Sequence, residues 1–206
     1  ERYVGLLTDG FALPSFARST LSGMRDGLVV PTEQGELRFS ATDHFDLDAD
    51  AEPEWIAAEQ SNSTMIVGRA AVLKLLRHVS PGVHPDAEMV RYLADNGFAN
   101  VPPILGTVSR VEAGEETLLM LAQTFVYNQG DGWQWTLNSL ERLGTDTEWS
   151  FSNYENFAAN LGRRVAEMHA VLARKTDHPD FAPEPVTLEG ADKLGGRIKG
   201  ELDKAL

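Results

Sequence analysis

Lys74 interrupts an otherwise apolar run, Ala71-Val-Leu-Lys-Leu-Leu76, and fourteen residues further on Glu88 stands in the first turn of an acidic segment. A strand lysine steadied by a helix glutamate is how kinases hold the α- and β-phosphates of ATP. The ammonium supplies a point charge, and the carboxylate keeps it protonated and in place. Each residue also has a plainer reading. Lys74 would point off the sheet into water, and Glu88 would pair with Arg91 at i,i+3 for a few tenths of a kcal/mol. Upstream, Glu59-Gln-Ser-Asn-Ser-Thr64 occupies the place of a phosphate-covering turn, with Ser61, Asn62 and Ser63 offering hydroxyl and amide contacts. It carries no glycine, so it is neither a Gly-rich kinase loop nor a Walker sequence. Downstream, Gln123-Thr-Phe-Val-Tyr-Asn-Gln-Gly130 lies where a hinge would present backbone N–H and C=O groups to adenine, which makes Gln123, Phe125 and Val126 candidates.

These residues need elements to position them. Thr64-Met-Ile-Val and Ala71-Val-Leu-Lys-Leu-Leu, joined through Gly68-Arg69, predict an antiparallel hairpin. Pro85 with Asp86 and Glu88 behind it predicts a helix running to about Asn96-Gly97. Ile104 to Arg110 and Thr117 to Gln123 flank Ala113-Gly114-Glu115 as a second hairpin. The order is strand, strand, helix, strand, strand. Outside it, helices are expected around Phe16 to Gly23, from Trp133 to Leu143, from Ser152 through Leu172 and from Leu188 to Leu206. Glu36-Leu-Arg-Phe-Ser is a candidate short strand. Ser152 with Glu155 three residues on makes a capping box, and Phe157, Leu161, Val165, Met168 and Leu172 recur at helical spacing. His169 falls on that apolar phase and reads as structural. Asp43 to Glu54 is acidic without the spacing of a calcium loop and reads as a solvated linker.

Composition narrows the classes. A chain of 206 residues, 42% hydrophobic and 24% charged, can bury a core, and it has no apolar run long enough to span a bilayer as a helix. Without cysteines there are no disulfides or thiolate metal sites, which fits a reducing compartment, so a cytoplasmic location is expected. The net charge of -13 opposes binding to nucleic acid or to an anionic membrane surface. Trp133, Trp135, Trp149 and Tyr127 present two options, an aromatic platform for a sugar or ordinary packing, and packing is the commoner use of indole. Glu1 in place of Met leads us to expect a cut on the amino side.

Taken as an ordered series, Glu59-Gln-Ser-Asn-Ser, Leu73-Lys-Leu-Leu-Arg, Ser80-Pro-Gly-Val-His-Pro-Asp-Ala-Glu, Asn100-Val-Pro-Pro-Ile-Leu-Gly and Asn128-Gln-Gly-Asp-Gly-Trp-Gln-Trp-Thr-Leu resemble bacterial maltokinase, including the kinase part of its fusions to trehalose synthase. Leu161-Gly-Arg-Arg-Val-Ala-Glu-Met-His extends the likeness, which covers about residues 30 to 206. The resemblance implies an α+β, protein-kinase-like fold of the aminoglycoside-phosphotransferase kind. Residues 1–54 would be a cap-like segment and acidic linker, 55–132 an antiparallel-sheet N-lobe with one helix and the hinge, and 133–206 the start of a helical C-lobe. The implied reaction is transfer of the γ-phosphate of ATP, with Mg²⁺, to maltose, giving maltose 1-phosphate for trehalose, glycogen and other α-glucan metabolism. A fused or associated trehalose synthase is an implied partner. Lys74 would hold phosphates, Glu88 would orient Lys74, Ser61, Asn62 and Ser63 would cover the nucleotide, and Gln123 to Val126 would form the hinge.

The kinase pattern also calls for a catalytic-loop aspartate and a second aspartate for Mg²⁺. No His-Gly-Asp segment occurs in these residues, so the base and the metal ligands are expected outside this stretch and the chain alone is expected to be inactive. Two alternatives stand beside maltokinase: a glucosamine kinase of the same architecture, and a non-catalytic remnant that binds a sugar or a partner protein.

Overall fold

The computed structural model describes residues 9–47, 51–55, 62–128, 130–145 and 152–205. Its centre is one antiparallel sheet of seven strands: β1 (Val29–Pro31), β2 (Gly35–Ala41), β3 (Pro53–Trp55), β4 (Asn62–Val67), β5 (Ala71–Leu76), β6 (Ile104–Glu112) and β7 (Glu115–Thr124), in the spatial order β1-β2-β6-β7-β5-β4-β3. Helix α1 (Pro14–Asp26) precedes the sheet, and α2 (Pro85–Asp95) lies between β5 and β6. Helices α3 (Gly132–Thr145), α4 (Ser152–Leu172) and α5 (Leu188–Ala205) follow it. Single 3-10 turns occupy Gly10–Ala12 and Pro179–Phe181.

Both expected hairpins form, and their turns show why. Gly68 and Arg69 have φ of 57° and 54°, and Ala113 and Gly114 have φ of 51° and 83°. Two consecutive left-handed residues match the right-handed twist of the flanking strands. Helix α2 begins on Pro85 with Asp86 and Glu88 in its first turn, where carboxylates favour the helix dipole. Helix α1 also begins on a proline, Pro14, and ends on Gly27 at φ 64°.

Strand alternation divides the core between the two sheet faces. Met65 and Val67 of β4, Ala71 and Leu73 of β5, and Met120 and Ala122 of β7 pack with Phe11, Ala17, Leu21 and Met24, the buried face of α1 and the turn before it. Leu76, Leu118 and Leu121 pack with Ala87 of α2 and with Ile104 on the other face. The register shift at Val108/Ser109 accounts for the change of phase along β7, because the extra residue, Leu119, turns the following side chains to the opposite face; the shift at Ile104/Gly106 does the same on β6 at Leu105. Gly106 is required where α1 crosses the sheet. A Cβ there would stand 2.8 Å from both Met24 Sδ and Ser40 O.

The aminoglycoside-phosphotransferase-like arrangement implied by the maltokinase resemblance is corrected here, while the α+β class stands. In place of a small N-lobe sheet with one helix, a seven-stranded sheet is covered on one face by α1 and on the other by α2. The added strands come from early in the chain: β2 pairs with β6 from Gly35↔Glu112 to Ala41↔Gly106, and β1 pairs with β2. The amphipathic α1 supplies the apolar face that the larger sheet needs. The candidate strand at Glu36 to Ser40 is therefore an interior strand of that sheet.

Candidate functional site

Lys74 lies in mid-β5, opposite Thr64 of β4 and Leu121 of β7. The two-residue period puts Lys74 on one face with Val72 and Leu76, away from the α1 core. It is half-buried. Two adjoining parts of one cleft meet at its side chain. The part toward α2, about 350 Å³, is lined by Asn62, Leu76, Asp86, Met89, Val90 and Leu121. The part toward the end of β7, about 480 Å³, is lined by Thr64, Ile66, Val72, Phe125, Val126 and Asn128. Pro102 and Gln123 border both. Among the described residues no carboxylate lies within ion-pair distance of Lys74, so its charge faces an open cleft.

The remaining expected residues are distributed unevenly around this lysine. Asn62 and Ser63 are the first residues of β4 rather than parts of a turn. Asn62 lines the cleft. Ser63, one residue on, takes the other phase of the strand and accepts a hydrogen bond from Arg77 Nε at 3.2 Å. Ser61 lies outside the described residues. Gln123 is buried, its Nε2 donating to Pro102 O at 3.3 Å, so it closes the cleft floor. Phe125 and Val126 follow β7 along the cleft. Phe125 N–H donates to Ala70 O at 2.8 Å, and Val126 C=O accepts from Asn128 Nδ2 at 3.0 Å.

Glu88 is not brought to Lys74. It borders a separate pocket of about 210 Å³ with Gly82, His84, Arg91, Ser109 and Glu116, on another face of α2. The α2 carboxylate that lines the Lys74 cleft is Asp86. A helix turns about 100° per residue, so positions 86, 89 and 90 share the cleft side while 88 does not. Sequence reasoning passed over Asp86. It also passed over the apolar shelf of Ile66 and Val72, which the strand period fixes once Lys74 and Asn62 are placed.

The cleft tests the implied ligands. Lys74, the one cation among its described lining residues, with the apolar shelf and polar rim, suits a nucleotide, an anion with a flat aromatic head. Among the described residues Asp86 is the single carboxylate lining it, and Mg²⁺ takes an oxygen-rich octahedral shell, so these residues alone do not form an Mg²⁺ site. Elsewhere, Trp135 packs against Tyr154 and Phe157 at 5.6 and 4.6 Å between centroids, whereas Trp133 and Tyr127 are exposed and Trp149 lies outside the described residues. His169 is exposed. No described helix is long and apolar enough to cross a membrane.

No family profile matches the chain. It is similar to a glucosamine kinase of Mycolicibacterium smegmatis, 31% identical over 159 residues that make up 73% of this chain and 39% of the relative. A glucosamine kinase of Streptacidiphilus jiangxiensis is 31% identical over 155 residues, 73% of this chain and 34% of the relative. These relatives overturn the maltokinase reading, and nothing supports the trehalose synthase partner or the trehalose and glycogen context that came with it. Among solved structures, a glucosamine kinase in complex with glucosamine, ADP and inorganic phosphate superposes with a TM-score of 0.63 at 24% identity, over 96% of this chain and 45% of that one. Another crystal form of glucosamine kinase gives 0.62 at 24% identity, over 93% and 44%. The chain thus spans between a third and two fifths of the length of its curated relatives, and it has the fold of the corresponding part of the solved glucosamine kinases.

Proposed function

We propose that this chain is the nucleotide-binding portion of an ATP-dependent sugar kinase whose acceptor is glucosamine. The observation that carries the reading is Lys74, a half-buried cation without a carboxylate partner among the described residues, standing where the two parts of the cleft meet. In this reading the adenine lies on Ile66, Val72 and Phe125, and Val126 N–H donates to a ring nitrogen. The phosphates run toward α2, where Lys74 neutralises their charge and Asn62 donates to an oxygen. Asp86 lines the same part of the cleft from α2.

The chemistry is displacement at the γ-phosphorus. A hydroxyl oxygen of the sugar forms a new P–O bond, the bond to the β-phosphate oxygen breaks to release ADP, and the hydroxyl proton passes to a base. Lys74 and the shelf align the phosphoryl group and offset charge. The base, the Mg²⁺ ligands and the sugar contacts are assigned to the part of the kinase that this chain does not span. The names of the relatives support glucosamine over other sugars.

The test has two arms. The chain is titrated with ADP and ATP by calorimetry, with Lys74→Ala expected to weaken binding about tenfold. The whole protein is then assayed for ADP release with glucosamine and Mg-ATP. Absence of nucleotide binding refutes the site, and nucleotide binding without glucosamine-dependent ADP release refutes the acceptor.

A further inference from the structure

We infer that Glu88, His178 and Asp180 form a binding site for one divalent transition-metal ion of the zinc class, joining α2 to the segment that follows α4. One ligand atom from each of the three side chains lies within 4.8 Å of the other two. Ions of this class bind at about 2.0–2.2 Å from oxygen or nitrogen, so donors this close surround a single ion after movements of less than about 1 Å. The His178 Nδ1 to Asp180 Oδ2 separation of 3.9 Å is too long for a hydrogen bond and fits two groups with an ion between them.

The donors come from two elements that are already fixed to one another. The Phe181 ring lies flat on that of Tyr92, 3.7 Å between centroids and 3° from parallel, and the His178 ring meets both edge-on. Arg174 Nη1 donates to Asn96 O at 2.9 Å, tying the end of α4 to the end of α2. The two segments and the His178 ring are therefore held in place before an ion arrives, which lowers part of the ordering cost of binding. Among the described residues, Glu88 has no ion pair with a lysine or arginine. Tyr92, whose ring His178 meets edge-on, and His84, which lines a pocket with Glu88, each carry an orphaned polar atom. The Tyr92 hydroxyl is buried without a hydrogen-bond partner among the described residues, and so is Nδ1 of His84, in the pocket that Glu88 borders.

The donor set selects the metal class. One imidazole with two carboxylates suits Zn²⁺, Co²⁺ or Mn²⁺, whereas Mg²⁺ avoids nitrogen and keeps its own waters. The ion would staple the helical part to the sheet layer, and it stands apart from the nucleotide proposal because Glu88 does not line the Lys74 cleft.

The test is competition for Zn²⁺ between the protein and a chromophoric chelator, with His178→Ala and Asp180→Asn alongside. Both substitutions are at exposed positions, and circular dichroism without metal checks the fold. One Zn²⁺ per chain is expected, resistant to a large excess of Mg²⁺, with each variant weakening it about tenfold or more. Zn²⁺ should raise the melting temperature of the parent protein and not that of His178→Ala. Absence of stoichiometric Zn²⁺ binding, equal affinity in His178→Ala, or displacement by Mg²⁺ overturns the proposal.

Discussion

Tyr92 and Phe181 stack face to face at 3.7 Å across 89 residues of chain, and this contact holds the segment after α4 against α2. Tyr92 is buried, and the stack removes apolar ring surface of both residues from water. Phe181→Ala is expected to lower stability by about 1 kcal/mol or somewhat more. It should also expose the Arg174-Lys175 bond region to trypsin earlier than in the parent protein. Chemical denaturation and timed proteolysis measure the two effects, and a variant with unchanged cleavage would show that the stack does not anchor the segment.

Lys74 separates charge from packing. Its aliphatic stem lies among Val72, Leu76 and Leu121, so Lys74→Met keeps the stem and removes the ammonium. The expected outcome is a stability within about 0.5 kcal/mol of the parent, because no ion pair among the described residues is broken. Nucleotide affinity falls about tenfold. Calorimetric titration with ADP beside a thermal melt distinguishes this from a lysine that only points into water, for which neither quantity changes.

Gly106→Ala places a methyl carbon 2.8 Å from both Met24 Sδ and the Ser40 carbonyl oxygen. The methionine end can move, but the backbone oxygen of β2 cannot without opening the β2–β6 pairing at Ala41↔Gly106. A loss of about 1–3 kcal/mol is expected, in the range for overpacked sites. Met24→Ala in the same chain should recover only the part due to the sulfur, as a double-mutant cycle by urea denaturation would show.

Asp26, at the end of α1, accepts from Arg25 Nε at 2.9 Å, and this hydrogen bond holds its carboxyl below the usual carboxylate range. The folded state therefore binds that proton less tightly than the unfolded chain. The contribution is present above the ordinary carboxylate range and fades as pH falls through the lowered value. The pair is fully exposed, so the consequence is expected in the titration rather than in overall stability. Carboxyl NMR should show a depressed midpoint for Asp26 that moves up toward the ordinary value in Arg25→Ala.

Much of the frame was legible because it depends on local rules. Gly68-Arg69 and Ala113-Gly114 announced their hairpins, Pro85 opened α2, and the apolar period of Phe157, Leu161 and Val165 marked α4. What was not legible depends on distant pairing. Nothing near Glu36 to Ser40 says that this strand will lie beside β6, some 70 residues away, and that pairing is what enlarged the sheet beyond the expected lobe. The position of Glu88 was missed through helix phase: a two-residue difference from Asp86 turns a side chain by about 200°. His178 and Asp180 sit in a proline-rich connector whose return to α2 rests on Tyr92 and Phe181, a contact without periodicity. The likeness to maltokinase rested on the order and spacing of short motifs, and the relatives found are glucosamine kinases.

The outermost strands, β1 and β3, are only three residues long, and each carries a proline, Pro31 and Pro53. A proline has no N–H to offer a passing strand, and three residues give little length for one to grip. A seven-stranded sheet is a large template for self-assembly, and here both of its margins are blunted. Replacing Pro31 and Pro53 together with valine would turn those margins into open edges, so concentrated solutions of the variant should grow fibrils or oligomers that the parent chain resists.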